Sequence, residues 1–343
     1  MCATQMYNHI PGHGALARKN SIADNIISYA KKYANNPKCF DKNQFFPTTY
    51  RLYDREECLE FFKILLSNKY EEKIKTEPIQ YIVKNGHSAH QGLGVSLLDA
   101  NKTTELNKEY KKELLCGQIN NSLLVQDYIK NSLLFDHNKK LDFRIYLLIA
   151  STNPIIAFYH DGFIRVALGT YDKNSTDQSV HLTHPKFGQK IIDEAKKKGN
   201  VSEEELRDSQ ARSLEDLQEY LLEIGKINDR TWLDNHLRRS FKKAFVHLVR
   251  MIENHLWKGS NVFEMYGVDF MIDENLNVWF IEANLSPQMI ATNTFKRNLL
   301  YNMIKDLIEI QFAYYRSRMK RLYSLLNAMG EEKAIKGDRK SVV

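Results

Sequence analysis

The chain has 343 residues, 43% of them apolar and 27% charged, which excludes an intrinsically disordered protein; at roughly 150 residues per domain, about two domains are expected. No apolar run approaches the ~20 residues of a membrane span, and no charged-then-apolar leader opens the chain, so neither a transmembrane nor a secreted protein is expected. The net charge is +7, and residues 293–343 carry eleven Lys/Arg against five Asp/Glu, so the excess lies at the C-terminal end. Such a segment is either a solvated helix face or a docking element for an acidic partner. The four cysteines, Cys2, Cys39, Cys58 and Cys116, form no C-x-x-C pair. That spacing argues against a zinc ribbon or a disulfide scaffold and fits a reducing cytosol.

In chain order, Ile22, Ile26, Tyr29 and Tyr33 predict a helix over 21–34. Asp54 with Glu57 opens a second helix to Leu66. A short strand over 79–84, a glycine-containing loop over 85–94 and a returning strand over 95–98 follow. Residues 123–129 and 143–150 read as buried strands. The His160-Asp-Gly162 segment between two apolar runs predicts a hairpin turn. Residues 172–201 read as a polar, irregular stretch. Ser202 and Glu205 open a helix to about Ile224, and a second helix covers about 230–257. A strand–turn–strand and a long helix over about 295–326 complete the body, with residues 327–343 expected to be a basic, disordered tail. Strands and helices mix without regular βαβ alternation, so the predicted class is α+β.

The clearest chemistry lies in residues 268–284. A four-residue turn at 274–277 would place Asp269 opposite Glu282, with Asn284 on the same face. Facing carboxylates repel unless a cation or a proton intervenes. Two carboxylates and an amide are hard oxygen ligands, suited to Mg²⁺ rather than zinc, and Mg²⁺ commonly takes phosphate as co-ligand. A second signal is Lys84 at a strand end, followed by Gln91, Gly92, Leu93, Gly94 and Val95. Glycines let backbone N–H groups approach phosphate oxygens, although this is neither a P-loop nor a full G-x-G-x-x-G. The third is Lys140, Asp142 and Arg144 on one face of an apolar strand, with Arg165 in the next apolar run.

In this order these segments resemble the tubulin–tyrosine ligase-like family of ATP-grasp enzymes, from about Asn8 to Leu326. Tyr7-Asn-His-Ile-Pro11 with Arg18 and Lys19, Phe46-Pro-Thr-Thr-Tyr50, the Lys84…Gly94 loop, Val125-Gln-Asp-Tyr-Ile129, Lys140-Leu-Asp-Phe-Arg-Ile-Tyr146, Gly162-Phe-Ile-Arg165, His181-Leu-Thr-His184 and Asp269…Glu282-x-Asn284 each match a family motif. The segments around Thr49–Glu57 and Arg144–Ala150 look most like the polyglycylase-type members. Asn85 departs from the family's proline, Leu141 from its phenylalanine and His184 from its asparagine.

The resemblance implies an ATP-grasp fold with a shortened N-terminal domain. It divides the chain into an N-terminal domain (1–76), a central subdomain (77–135), a C-terminal subdomain (136–326) and the tail. It implies ATP and Mg²⁺ as cofactors. Asp269, Glu282 and Asn284 would hold the metal. Lys84, Gln91 to Val95, Gln126, Asp127, Tyr128, Ile129, Lys140, Asp142, Thr183 and His184 would bind ATP. Arg144 and Arg165 would serve catalysis and the substrate carboxylate, with Lys190 also in the substrate pocket. The implied reaction joins an amino acid, glycine favoured, to glutamate side chains of tubulin, microtubules or another acidic protein through an acyl phosphate. Glutamate or tyrosine addition, and an inactive microtubule-binding relative, are the alternatives. The expected setting is the cytoplasm and cytoskeleton, with a cilium or flagellum as one location. A kinase lacks its H-R-D…D-F-G set here, and nucleic-acid and membrane partners have no accompanying motif.

Overall fold

The computed structural model describes residues 5–36, 38–86, 94–183, 188–198, 202–259, 261–291 and 293–338. The N-terminal part runs β1 (Tyr7–Asn8), α1 (Gly14–Ala17), α2 (Lys19–Lys32), β2 (Thr49–Arg51), α3 (Arg55–Leu65), α4 (Asn68–Thr76), β3 (Tyr81–Asn85), β4 (Val95–Leu97), α5 (Ala100–Lys111) and β5 (Leu123–Asp127). Helix α2 buries Ile22, Ile26 and Tyr29, the stripe its spacing predicts. Helix α3 starts where Asp54 accepts the Glu57 N–H at 3.0 Å. Four strands pair antiparallel in the order β2-β5-β3-β4. Phe61, Phe62, Leu106, Val83 and Val125 form the core between this sheet and its helices.

The second part runs β6 (Leu134–Phe135), β7 (Lys139–Thr152), β8 (Ile155–Thr170), α6 (Gln178–His181), α7 (Gln189–Lys198), α8 (Glu203–Ser209), β9 (Ala211–Arg212), α9 (Leu214–Glu223), α10 (Arg239–Ile252), β10 (Val262–Ile272), β11 (Val278–Leu285) and α11 (Thr294–Asp338). Its seven-stranded sheet follows β1-β10-β7-β8-β9, with β11 also on β10 and β6 on β7. Only the β1–β10 pairing is parallel among these. Phe143, Ile145, Leu147, Phe241, Leu248, Val268 and Phe270 fill the core between this sheet and α10. The two antiparallel-rich sheets with segregated helices confirm the α+β class.

Several local expectations are corrected. Strand β8 passes straight through His160 and Gly162, and the turn lies at Asn153 and Pro154 instead. The expected helix from 202 to 224 breaks at β9, because Ala211 and Arg212 pair with β8; Ser213 then caps α9 with its own box to Asp216. The stretch 172–201 contains α6 and α7 rather than irregular chain alone. Cys58 and Cys116 form a disulfide between α3 and the α5–β5 connection, so they are not free thiols. Helix α11 does not stop at Leu326 but continues to Asp338, through a proline-free run that includes Leu325, Leu326 and Met329. Among the described residues no helix is long and apolar enough to cross a membrane.

Candidate functional site

A transverse row of charge crosses the larger sheet. Asp269 on β10 lies opposite Glu282 on β11 and opposite Arg144 on β7, while Asp142 on β7 faces Arg165 on β8. The alternation of β7 puts Leu141, Phe143 and Ile145 into the core and Lys140, Asp142 and Arg144 on the other face. On β11 an irregularity opposite Asp269 and Phe270 brings two consecutive residues, Ile281 and Glu282, onto that same face while Phe280 stays buried. A bulge re-aims a side chain in this way.

This face closes against the smaller sheet around a cavity of about 800 Å³, within the ~300–1,000 Å³ of small-molecule sites. The cavity gathers Lys84, Val95, Gln126 and Asp127 from the smaller sheet and Tyr128 and Ile129 from the connection between sheets. Lys140, Asp142, Arg144, Arg165 and Thr183 line it too, as do Asp269, Glu282 and Asn284. Gly94 is placed at the start of β4, where its carbonyl accepts the Asn85 N–H, and does not line the cavity. Gln91, Gly92, Leu93 and His184 lie outside the described residues. Lys190 falls in α7, and its side chain also lies outside them.

The charges are held in pairs. Arg144 donates to both oxygens of Asp269 (Nε–Oδ1 2.5 Å, Nη2–Oδ2 3.1 Å). Arg165 donates to both oxygens of Asp142 (2.6 and 2.8 Å) and reaches Asp269 Oδ2 at 2.9 Å. Burial works against ionising Asp269, but the two guanidinium groups hold its carboxyl below the usual range. Glu282 is held low in the same sense, against burial, by Lys19 at 3.4 Å and by Lys84. Lys19 is a site residue that the sequence shows only as part of an N-terminal motif.

Two lysines carry the cost of burial. Lys84 is 6% exposed, and burial draws its pKa down to about 8 against the pull of Glu282. Lys140 is 1% exposed and burial draws it to about 7, with Asp142 opposing. Its Nζ donates to the Tyr128 hydroxyl at 2.6 Å and sits 4.1 Å from the Tyr128 ring and 5.1 Å from that of Tyr171. Incoming phosphate favours the charged form of such a lysine and raises its pKa. Nucleotide binding at pH 8 is therefore expected to take up a proton at Lys140, and at pH 6, below its pKa, much less. Calorimetry in buffers of different ionisation enthalpy measures this. Uptake at pH 8 that is undiminished in Lys140→Met would refute the assignment.

The donor set fits a hard divalent cation. Asp269 and Glu282 supply carboxylate oxygens, and the Asn284 amide lies 3.3 Å from each of them. Turned about its terminal bond, that amide presents Oδ1 in the same place. Ile82, Val95, Met271 and Ile281 give the cavity apolar walls suited to a planar base. A nucleotide with Mg²⁺ fits these residues.

Lys296, in the first turn of α11, was not legible as a site residue. It is 9% exposed, lines the cavity and lies 4.7 Å from the Phe163 ring. Burial, with Arg144 and Arg165 nearby, brings its pKa to about 8. Its ammonium has no carboxylate partner among the described residues. In the sequence it looks like any helix-start lysine. Only its position over the arginine pair distinguishes it.

Two sheets clasping one cavity, with Lys84 on the smaller sheet and Lys140 and the oxygen trio on the larger, form an ATP-grasp fold. The chain belongs to the tubulin-tyrosine ligase family, whose model matches residues 1–321. It is 24% identical over 324 residues to the protein polyglycylase TTLL10 of Rattus norvegicus, covering 89% of this chain and 45% of that protein. It is 30% identical over 237 residues to tubulin glycylase 3A of Drosophila melanogaster, covering 67% and 22%. To the probable alpha-tubulin polyglutamylase Ttll1 of Tetrahymena thermophila it is 28% identical, covering 89% and 71%. The chain thus spans less than half of the first two of these relatives.

Proposed function

We propose that this chain is an ATP- and Mg²⁺-dependent carboxylate–amine ligase that adds an amino acid, glycine favoured, to glutamate side chains of tubulin or another acidic protein. The observation that carries the reading is the juxtaposition, in one cavity, of Lys84 and Lys140, the Asp269–Glu282–Asn284 oxygens and the Arg144–Arg165 pair. The glycine preference is supported by the names of the rat and Drosophila relatives; polyglutamylase relatives keep glutamate addition as the second reading. A human relative is named an inactive polyglycylase, which keeps the inactive reading in view. Against it stand the oxygen trio and Lys84, all present here.

When bound, Mg²⁺–ATP supplies the phosphoryl group that activates a carboxylate. The residues of the chain then have distinct tasks. Lys84 and Lys140 attract phosphate, and Gln126 to Ile129 border the base. Asp269, Glu282 and Asn284 hold the metal. Arg144 and Arg165 stabilise negative charge that develops as an amine attacks the activated carboxyl carbon. Most of their fork is already engaged by Asp269 and Asp142, so among the described residues Lys296 is the cation left for a substrate carboxylate. A charge-assisted hydrogen bond contributes about 1.5–3 kcal/mol. Lys296→Met should therefore raise the amino-acid KM by roughly 10–100-fold with ATP affinity unchanged; an unchanged KM would remove Lys296 from the substrate site.

The defining experiment is ATP-dependent incorporation of labelled glycine, glutamate and tyrosine into microtubules, with Glu282→Gln as control. Glutamate alone would sink the glycine reading, and no incorporation together with absent ATP binding would favour the inactive relative. Docking on acidic tails falls to the exposed cations of α11, Arg316, Lys320 and Arg321. Arg318, on the same helix, is half-buried and donates to Asn261 Oδ1. Neutralising the other three should weaken microtubule co-sedimentation, most at low salt. Unchanged binding would leave this end a solvated helix.

A further inference from the structure

The N-terminal motif around His9 has a feature that the ligase reading does not use. Glu264 on β10 is fully buried, with 1% side-chain exposure, yet lies at the molecular edge where β1 joins the sheet. Its Oε1 meets His9 Nδ1 at 3.1 Å, and its Oε2 meets His13 Nδ1 at 2.9 Å and the Ile10 N–H at 3.0 Å. His9 and His13 remain 37% and 32% exposed, so solvent ions reach the imidazoles. The three donor groups lie within 4.8 Å of one another.

We propose that His9, His13 and Glu264 form a second divalent-cation site, of zinc class and distinct from the oxygen trio of the cavity. Both histidines turn the same ring atom, Nδ1, toward one carboxylate, each toward a different oxygen. An ion with metal–nitrogen and metal–oxygen bonds of about 2.0–2.2 Å has neighbouring tetrahedral ligands roughly 3.3 Å apart. The 2.9 and 3.1 Å separations therefore need only a small spread to admit it. Two imidazole nitrogens and a carboxylate select a borderline ion such as Zn²⁺ over Mg²⁺. A cation also answers the physical difficulty of Glu264, a fully buried carboxylate whose partners among the described residues are one backbone N–H and two partly exposed rings.

The backbone between the histidines is already shaped for this. Gly12, at φ +94°, lets the chain press on the 255–256 backbone, where a Cβ would meet His255 O at 2.0 Å. Pro11 O accepts the Trp257 N–H at 2.9 Å. Strand β1 is only two residues long. The ion would staple this short segment, and the Lys19 that follows it, to the strand that carries Asp269.

Zinc binding tests the site directly. In the Glu282→Gln protein, which weakens the oxygen trio, titration with Zn²⁺ alone should give one ion per chain, and Co²⁺ in its place should give visible d–d bands. Adding His13→Ala or His9→Ala, both at solvent-accessible positions, should weaken that binding at least by the roughly 10–100-fold that loss of outer-shell partners costs. Absence of zinc binding in Glu282→Gln, or equal zinc affinity with and without the histidines, would overturn the proposal and leave a plain ion-pair clamp.

Discussion

Glu282→Gln is expected to abolish ligation and keep the fold, whereas Asp269→Ala is expected to lose both. Glu282 is exposed to the cavity, and its partners are Lys19 at 3.4 Å, Lys84 and the Asn284 amide; Lys84, already drawn down to about 8, can release its proton, so an isosteric amide leaves no stranded buried charge. It does remove one of two carboxylates facing the metal. Metal and charge stabilisation of this kind contributes several kcal/mol to a transition state, so turnover should fall about 10³-fold. Asp269 differs because it is the shared counter-charge of Arg144 and Arg165. Its removal leaves two guanidinium groups in a buried row with Asp142 alone to balance them. Breaking a buried pair from one side costs about 3–5 kcal/mol. Labelled amino-acid incorporation and thermal unfolding, run on both variants, separate the two roles. Unchanged turnover in either variant would refute the metal assignment. A wild-type melting curve for Asp269→Ala would refute its structural role.

The pairing of Asp269 with Glu282 was legible in the sequence, but partly for a mistaken reason. Counting back from a four-residue turn gives that pair directly. The loop is actually longer, from Asp273 to Asn277, and is tied by the Asp273 carboxylate to the N–H groups of Asn275 and Asn277 and to Trp279 Nε1. Near the loop Phe270 pairs with Phe280, one residue out of the expected register. The irregularity next to Asp269 restores it. Bulges have no reliable signature in one sequence, so a correct pair came from two compensating departures. Period-2 alternation made the Lys140–Asp142–Arg144 face readable, since each residue's neighbours are apolar. Lys19, Lys296 and the Cys58–Cys116 pair were opaque for a different reason. Each depends on where a helix docks, and local pattern does not encode docking.

Gly162→Ala is expected to disable the site without touching any charged residue. Gly162 was read as a turn residue, yet it lies inside β8, where the β7–β8 register shifts between Arg144 and Tyr146. A Cβ there would stand 1.5 Å from the Arg144 carbonyl oxygen and 2.6 Å from its carbon. These are backbone atoms of a central strand, so no side chain can rotate away. The strands must separate, which for overpacking costs about 1–3 kcal/mol. The displacement falls on Arg144 itself and on the adjoining Asp142–Arg165 pair. A misplacement of about 1 Å can cost 10²-fold in rate. The variant should therefore show a kcat/KM lowered about 10²-fold and a modestly lower melting temperature. Nucleotide binding, which draws on Lys84 and the 126–129 segment, should change much less. Wild-type kcat/KM in Gly162→Ala would mean that β8 yields without moving the arginines, and the rigid charged row would not be what positions them.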